Sequence, residues 1–108
     1  MDLVADIGAT NARFQYCLGG ELQGQAIVLP TADYTQTAPL LEDAMTALGG
    51  DRPTRALLAV AGPATQAEQI QITNTGLVVK CDAGRAVLGC DILLVNDFFA
   101  LAHGVPFF

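Results

Sequence analysis

The order of apolar runs in this chain predicts an α/β fold, a mixed five-stranded sheet with helices flanking it. Three observations predict it. Three strand-like runs follow one another before any helical periodicity begins, and helices and strands then alternate. Glycine pairs at Gly19-Gly20 and Gly49-Gly50 punctuate the pattern where a strand and a helix should end. Hydrophobic residues make up 52% of the sequence and charged residues 15%, a balance that argues for a packed core and against disorder. A length of 108 residues leaves room for one domain.

Residues 2–7, 13–18 and 22–29 read as successive strands, with Gly19-Gly20 turning between the second and third. Thr31 to Ala47 reads as a helix. Leu40, Leu41, Ala44, Met45 and Leu48 recur at helical spacing, and Gly49-Gly50 stops it. Arg55 to Ala61 is a buried strand closed by Gly62-Pro63. Gln69 to Thr73 is a short strand. Val78 to Leu88 includes a helix, weakened by Gly84. Asp91 to Asn96 forms the last strand, and Phe98 to Ala102 opens a final helix.

Two segments carry chemistry. In Asp6-Ile7-Gly8-Ala9-Thr10-Asn11-Ala12-Arg13, a strand leads through a small-residue turn into a second strand. Gly8 can adopt positive φ, and neither Gly8 nor Ala9 has a side chain large enough to block a ligand. Such a turn can aim backbone N–H groups at a phosphate, with Asp6 beside it to hold a hydrated cation. The same residues also suit an ordinary hairpin. The second segment, Asp91 to Asp97, is a continuous apolar run ending in Asn96-Asp97. Ligands in α/β folds gather at the carboxyl ends of strands. A carboxylate there can take a proton from a substrate hydroxyl, although Asn and Asp also cap helices.

Composition excludes several classes. The net charge of −6, with five Lys and Arg in all, argues against a nucleic-acid partner. No run is long enough to span a bilayer, and the basic start of a signal peptide is missing, which points to the cytoplasm. Cys17, Cys81 and Cys90 are odd in number and lack metal-ligand spacing, so neither a zinc site nor a disulfide framework is expected. His103 is the lone histidine, which leaves a hydrolase triad without support. No G-x-x-x-x-G-K-[ST] occurs, and the first glycine turn leads into a strand, which disfavours P-loop and dinucleotide-binding folds.

Taken together, the motifs resemble the bacterial glucokinase family of the sugar kinase–actin superfamily. Asp6 to Arg13 is similar to its phosphate loop, D-x-G-G-T-N-x-R, with Ala9 in place of the second glycine. Ala59 to Pro63, followed by Ile72-Thr73-Asn74, resembles its central strand and Thr-Asn segment, with Leu77 where an aromatic residue is common. Val95-Asn96-Asp97-Phe98, with Ala100 and Pro106, resembles its catalytic-aspartate block.

The resemblance implies a ribonuclease H-like (actin-like ATPase) lobe: residues 1–108 would be the small N-terminal lobe, without the large C-terminal one. It also implies ATP-dependent phosphorylation of glucose. In that reading Asp97 is the general base and Asn96 fixes the sugar, which Thr73 and Asn74 border unless they serve the turn alone. Asp6 positions Mg²⁺ through water, and Gly8, Ala9, Thr10 and Asn11 face the ATP phosphates. Arg13 suits an ion pair better than a ligand role. The alternative is a non-catalytic sugar- or nucleotide-binding module related to actin-like or sensor proteins. A lobe without its partner should lack useful activity, and its mainly apolar ending, Phe98 to Phe108, should either fold back on its own sheet or pair with another copy.

Overall fold

The computed structural model describes residues 1–60, 64–66, 69–72 and 76–95. In chain order its elements are β1 (Asp2–Ile7), β2 (Asn11–Leu18), β3 (Glu21–Pro30), a 3-10 turn (Thr31–Asp33), α1 (Thr37–Leu48), β4 (Arg55–Val60), β5 (Ala64–Gln66), β6 (Gln69–Gln71), β7 (Val78–Lys80), α2 (Cys81–Leu88) and β8 (Asp91–Val95). The main sheet has five strands in the order β3-β2-β1-β4-β8. β1 to β3 form an antiparallel meander, while β4 and β8 add in parallel to β1. The expected mixed five-stranded α/β sheet is therefore present.

Alternation along the strands divides the sheet into two faces. Leu3, Ala5 and Ile7 of β1 stand in register with Ala56, Leu58 and Val60 of β4. Together with Ala12, Phe14 and Tyr16 of β2 they form the core against Leu40, Leu41 and Ala44 of α1. Met45 and Leu48 pack at its margin, so the whole expected α1 stripe faces inward. Asp6 and Ala59 belong to the opposite face, in register with each other.

α1 begins at Thr37 rather than at Thr31. A helix from Thr31 would put Pro39 in its interior, where the ring clashes and the missing N–H breaks the ladder. Starting at Thr37 leaves Pro39 in the first turn, where no N–H is required. Tertiary bonds fix the same boundary. The buried Thr37 hydroxyl donates to the Val78 carbonyl at 2.8 Å and accepts the Lys80 N–H at 2.9 Å. At the other end, Gly49 takes φ 110°, and the Gly50 N–H reaches back to the Met45 carbonyl at 2.8 Å. That is a Schellman closure.

A second, three-stranded antiparallel sheet, β5-β6-β7, goes beyond the single sheet expected. Only β6 matches an expected strand, and β7 occupies the start of the region read as containing a helix. Leu77, in place of the family's aromatic residue, is fully buried in the core. The final expected helix, Phe98 to Ala102, and the apolar ending to Phe108 lie outside the described residues.

Candidate functional site

The turn between β1 and β2 is built from local geometry. Gly8 donates its N–H to the Asn11 carbonyl at 2.9 Å, closing the hairpin over Ala9 and Thr10. Both turn residues are exposed. Among the described residues, no backbone bond engages the N–H of Ala9 or Thr10. The Gly8 N–H is thus committed to the fold, and Ala9 and Thr10 present unpaired donors. Gly8 itself does not use the positive-φ region expected of it. A Cβ there would meet the Asn11 carbonyl oxygen at 3.4 Å, an ordinary van der Waals contact, so the turn does not depend on glycine for space. The Ala9 methyl points to no crowded site, because the residue is exposed, and its substitution for glycine leaves the turn intact.

Asp6 lies two residues before Gly8, half-buried, on the face opposite α1. Its direct cross-strand partner is Arg13 of β2. The ion pair expected of Arg13 does not form among the described residues, and Asp6 likewise has no side-chain bond there. An unengaged carboxylate beside unpaired N–H groups suits a hydrated Mg²⁺ carried by phosphates. Among the described residues no cluster of three or more His, Cys, Asp or Glu could hold a metal alone. Magnesium commonly binds through one or two carboxylates plus substrate phosphates, so the donor set fits that mode.

β8 brings the second segment to the same end of the sheet. Val95, its last residue, pairs with Ala59, and Ala59 pairs with Asp6. With strands about 4.8 Å apart, Val95 and Asp6 are separated by roughly 10 Å on one face. Asn96, Asp97, Thr73 and Asn74 lie outside the described residues. Beyond the antiparallel β6–β7 pairing, the Ile72 N–H donates to the Leu77 carbonyl at 3.1 Å.

The other charged cluster serves the opposite end of the sheet. Arg55 donates to Asp2 through Nη2 at 2.9 Å and Nε at 3.3 Å, and the Thr54 hydroxyl adds a 3.1 Å bond. Those Arg55 bonds hold the Asp2 carboxyl below the usual carboxylate range, against the upward push of burial. Cys17, Cys81 and Cys90 are all free thiols, and burial raises the pKa of Cys90. No described helix is long and apolar enough to cross a membrane. Thr31, expected to open a helix, instead donates its N–H to the Thr10 carbonyl at 3.1 Å. Nothing in its local sequence signals a partner in the β1–β2 turn.

A family model described as Glucokinase matches residues 3–108. The bifunctional protein glk of Paraburkholderia xenovorans is 38% identical over 96% of this chain and 16% of its own length. The glucokinase of Allorhizobium ampelinum is 38% identical over 93% of this chain and 30% of its own length. Among solved structures, the glucokinase of an Antarctic psychrotroph superposes with a TM-score of 0.75 at 32% identity, covering 94% of this chain and 34% of that one. The chain therefore spans a third or less of the curated relatives it matches here.

Proposed function

Because the chain belongs to the glucokinase family, we propose that it is the small N-terminal lobe of a cytoplasmic kinase that phosphorylates glucose with ATP. The observation that carries this reading is the register of β8 with β4 and β1, which ends beside the Gly8–Asn11 turn. Val95, two residues before Asp97, ends on the face of Asp6. Base, sugar hydroxyl and γ-phosphate must share one small volume, and this end of the sheet offers it.

Each residue then has a defined task. Asp97 accepts the proton of the glucose 6-hydroxyl as its oxygen attacks the γ-phosphorus. Asn96 hydrogen-bonds a sugar hydroxyl and fixes the pose, with Thr73 and Asn74 along the sugar's border. Asp6 is the residue that would hold Mg²⁺ through water, and the cation would neutralise phosphate charge. The Ala9 and Thr10 N–H groups donate to phosphate oxygens. Transfer states of this kind are loose, so alignment and charge neutralisation supply most of the rate.

In the full-length kinase, Asp97→Asn should lower kcat by about a hundredfold to ten-thousandfold, the usual worth of a general base. Glucose binding, followed by calorimetry, should persist. Near-normal turnover in the variant would place the base elsewhere.

A further inference from the structure

We infer that Thr31 is a positioning residue for the phosphate turn, holding the Thr10–Asn11 peptide in the orientation that aims the Asn11 N–H at the bound phosphate. The inference rests on the kinase reading above and adds to it a residue outside the family's loop motif.

Thr31 follows the last residue of β3, where Pro30 stands in register with Asn11. It is fully buried. Its N–H donates to the Thr10 carbonyl at 3.1 Å, and its own carbonyl accepts the Tyr34 N–H at 3.1 Å. Tyr34 in turn donates its hydroxyl to Asp43 of α1 at 2.6 Å. The turn is thereby indexed to α1 through Thr31 and Tyr34. A trans peptide is planar, with C=O and N–H pointing in opposite directions. Gripping the Thr10 carbonyl from the β3 side therefore turns the Asn11 N–H away from β3, toward the mouth of the hairpin.

The Thr31 side chain supplies an independent observation. Its Oγ1 is the one buried side-chain polar atom without a hydrogen-bond partner among the described residues. A buried, unpaired hydroxyl costs free energy that an isosteric valine would avoid, so its presence calls for a reason. The Thr10 carbonyl already lies within reach of the Thr31 backbone and has a second lone pair. When the turn closes on phosphate, the hydroxyl donates to that lone pair, and the peptide gains a second restraint in the ligand-bound state alone. A group that stays unpaired without ligand and pairs with it favours the complex over the free enzyme.

The test uses the full-length kinase. Thr31→Val keeps the shape and the backbone N–H but removes the hydroxyl, and Thr31→Ser restores it. The expected result is a Tm at or above wild type for Thr31→Val. Its KM for ATP should rise about tenfold, the worth of one neutral hydrogen bond. The KM for glucose should be unchanged, and Thr31→Ser should recover most of the affinity for ATP. In NMR titrations with magnesium and ADP, the Asn11 amide shift should shrink in Thr31→Val and return in Thr31→Ser. A wild-type KM for ATP in Thr31→Val would overturn the inference, as would an affinity loss that tracks a lower Tm and is not rescued by serine. A wild-type enzyme that fails to phosphorylate glucose would instead overturn the kinase reading.

Discussion

Asp2 shows how one residue ties stability to pH. Its carboxylate accepts bonds from the Arg55 guanidinium and from Thr54, and the Arg55 bonds are the main cause of its lowered pKa. A group with a depressed folded pKa contributes stability that is complete above its unfolded value, roughly pH 4. That contribution is lost as pH falls through the lower folded value, because the unfolded chain takes up the proton first. Thermal melts between pH 6 and 2 (rough bounds set by ordinary carboxylate titration) should show a steeper acid limb for wild type than for Asp2→Asn. Parallel limbs would mean that the pair adds nothing to folding. At this scale the site was partly legible. Asp6 and the Gly8–Asn11 turn are contiguous, so their chemistry shows in a local motif. Thr31 meets Thr10 only after β2 and β3 have paired, and no local pattern announces that contact.

Elements met the same divide. Hydrophobic spacing identified the inward stripe of α1, and the glycine pair marked its end, because both act within a few residues. The start at Thr37 was missed by the reading from Thr31, although Pro39, which a helix tolerates in its first turn, marks it. Gly84 in α2 had a tertiary purpose instead. A Cβ there would collide with Ile92 Cδ1 of β8 and come within 3.4 Å of Leu41 Cδ1 of α1. Glycine lets helix, strand and helix approach closely. Gly84→Ala should thus combine a gain of about 1 kcal/mol in helix propensity with an overpacking cost of about 1–3 kcal/mol. Ile92→Val removes the offending methyl. Denaturant unfolding of both single variants and the double variant should show Ile92→Val costing about 1 kcal/mol less in the Gly84→Ala background than alone. Strict additivity would rule out the contact as the reason for the glycine.

For the whole molecule, the decisive fact is that the chain spans 30% of a curated glucokinase and 34% of a solved one. One lobe offers one wall of a cleft. Phosphoryl transfer needs donor, acceptor and cation enclosed with water excluded. The purified 108-residue chain should therefore show no useful ATP-dependent glucose phosphorylation in a coupled assay. Robust turnover by the chain alone would contradict the two-lobe reading. Light scattering over a concentration series tests the expected self-association. Apolar exposure occurs in the meander as well as being expected at Phe98 to Phe108, since Leu18, Leu22 and Val28 are 58%, 60% and 56% exposed.

The sequence by itself determined the mixed sheet, the turn between the strands at Asp6 to Asn11 and the family. Each of these rests on residues adjacent in the chain or on periodicities of a few positions. Tertiary structure decided the strand order β3-β2-β1-β4-β8, the second sheet and the hold of Thr31 on the turn. It also decided that Val95 ends in register with Asp6 through Ala59. The reason is that strand pairing joins residues far apart in sequence. Alternating apolar residues say which face of a strand is buried, but not which strand lies beside it.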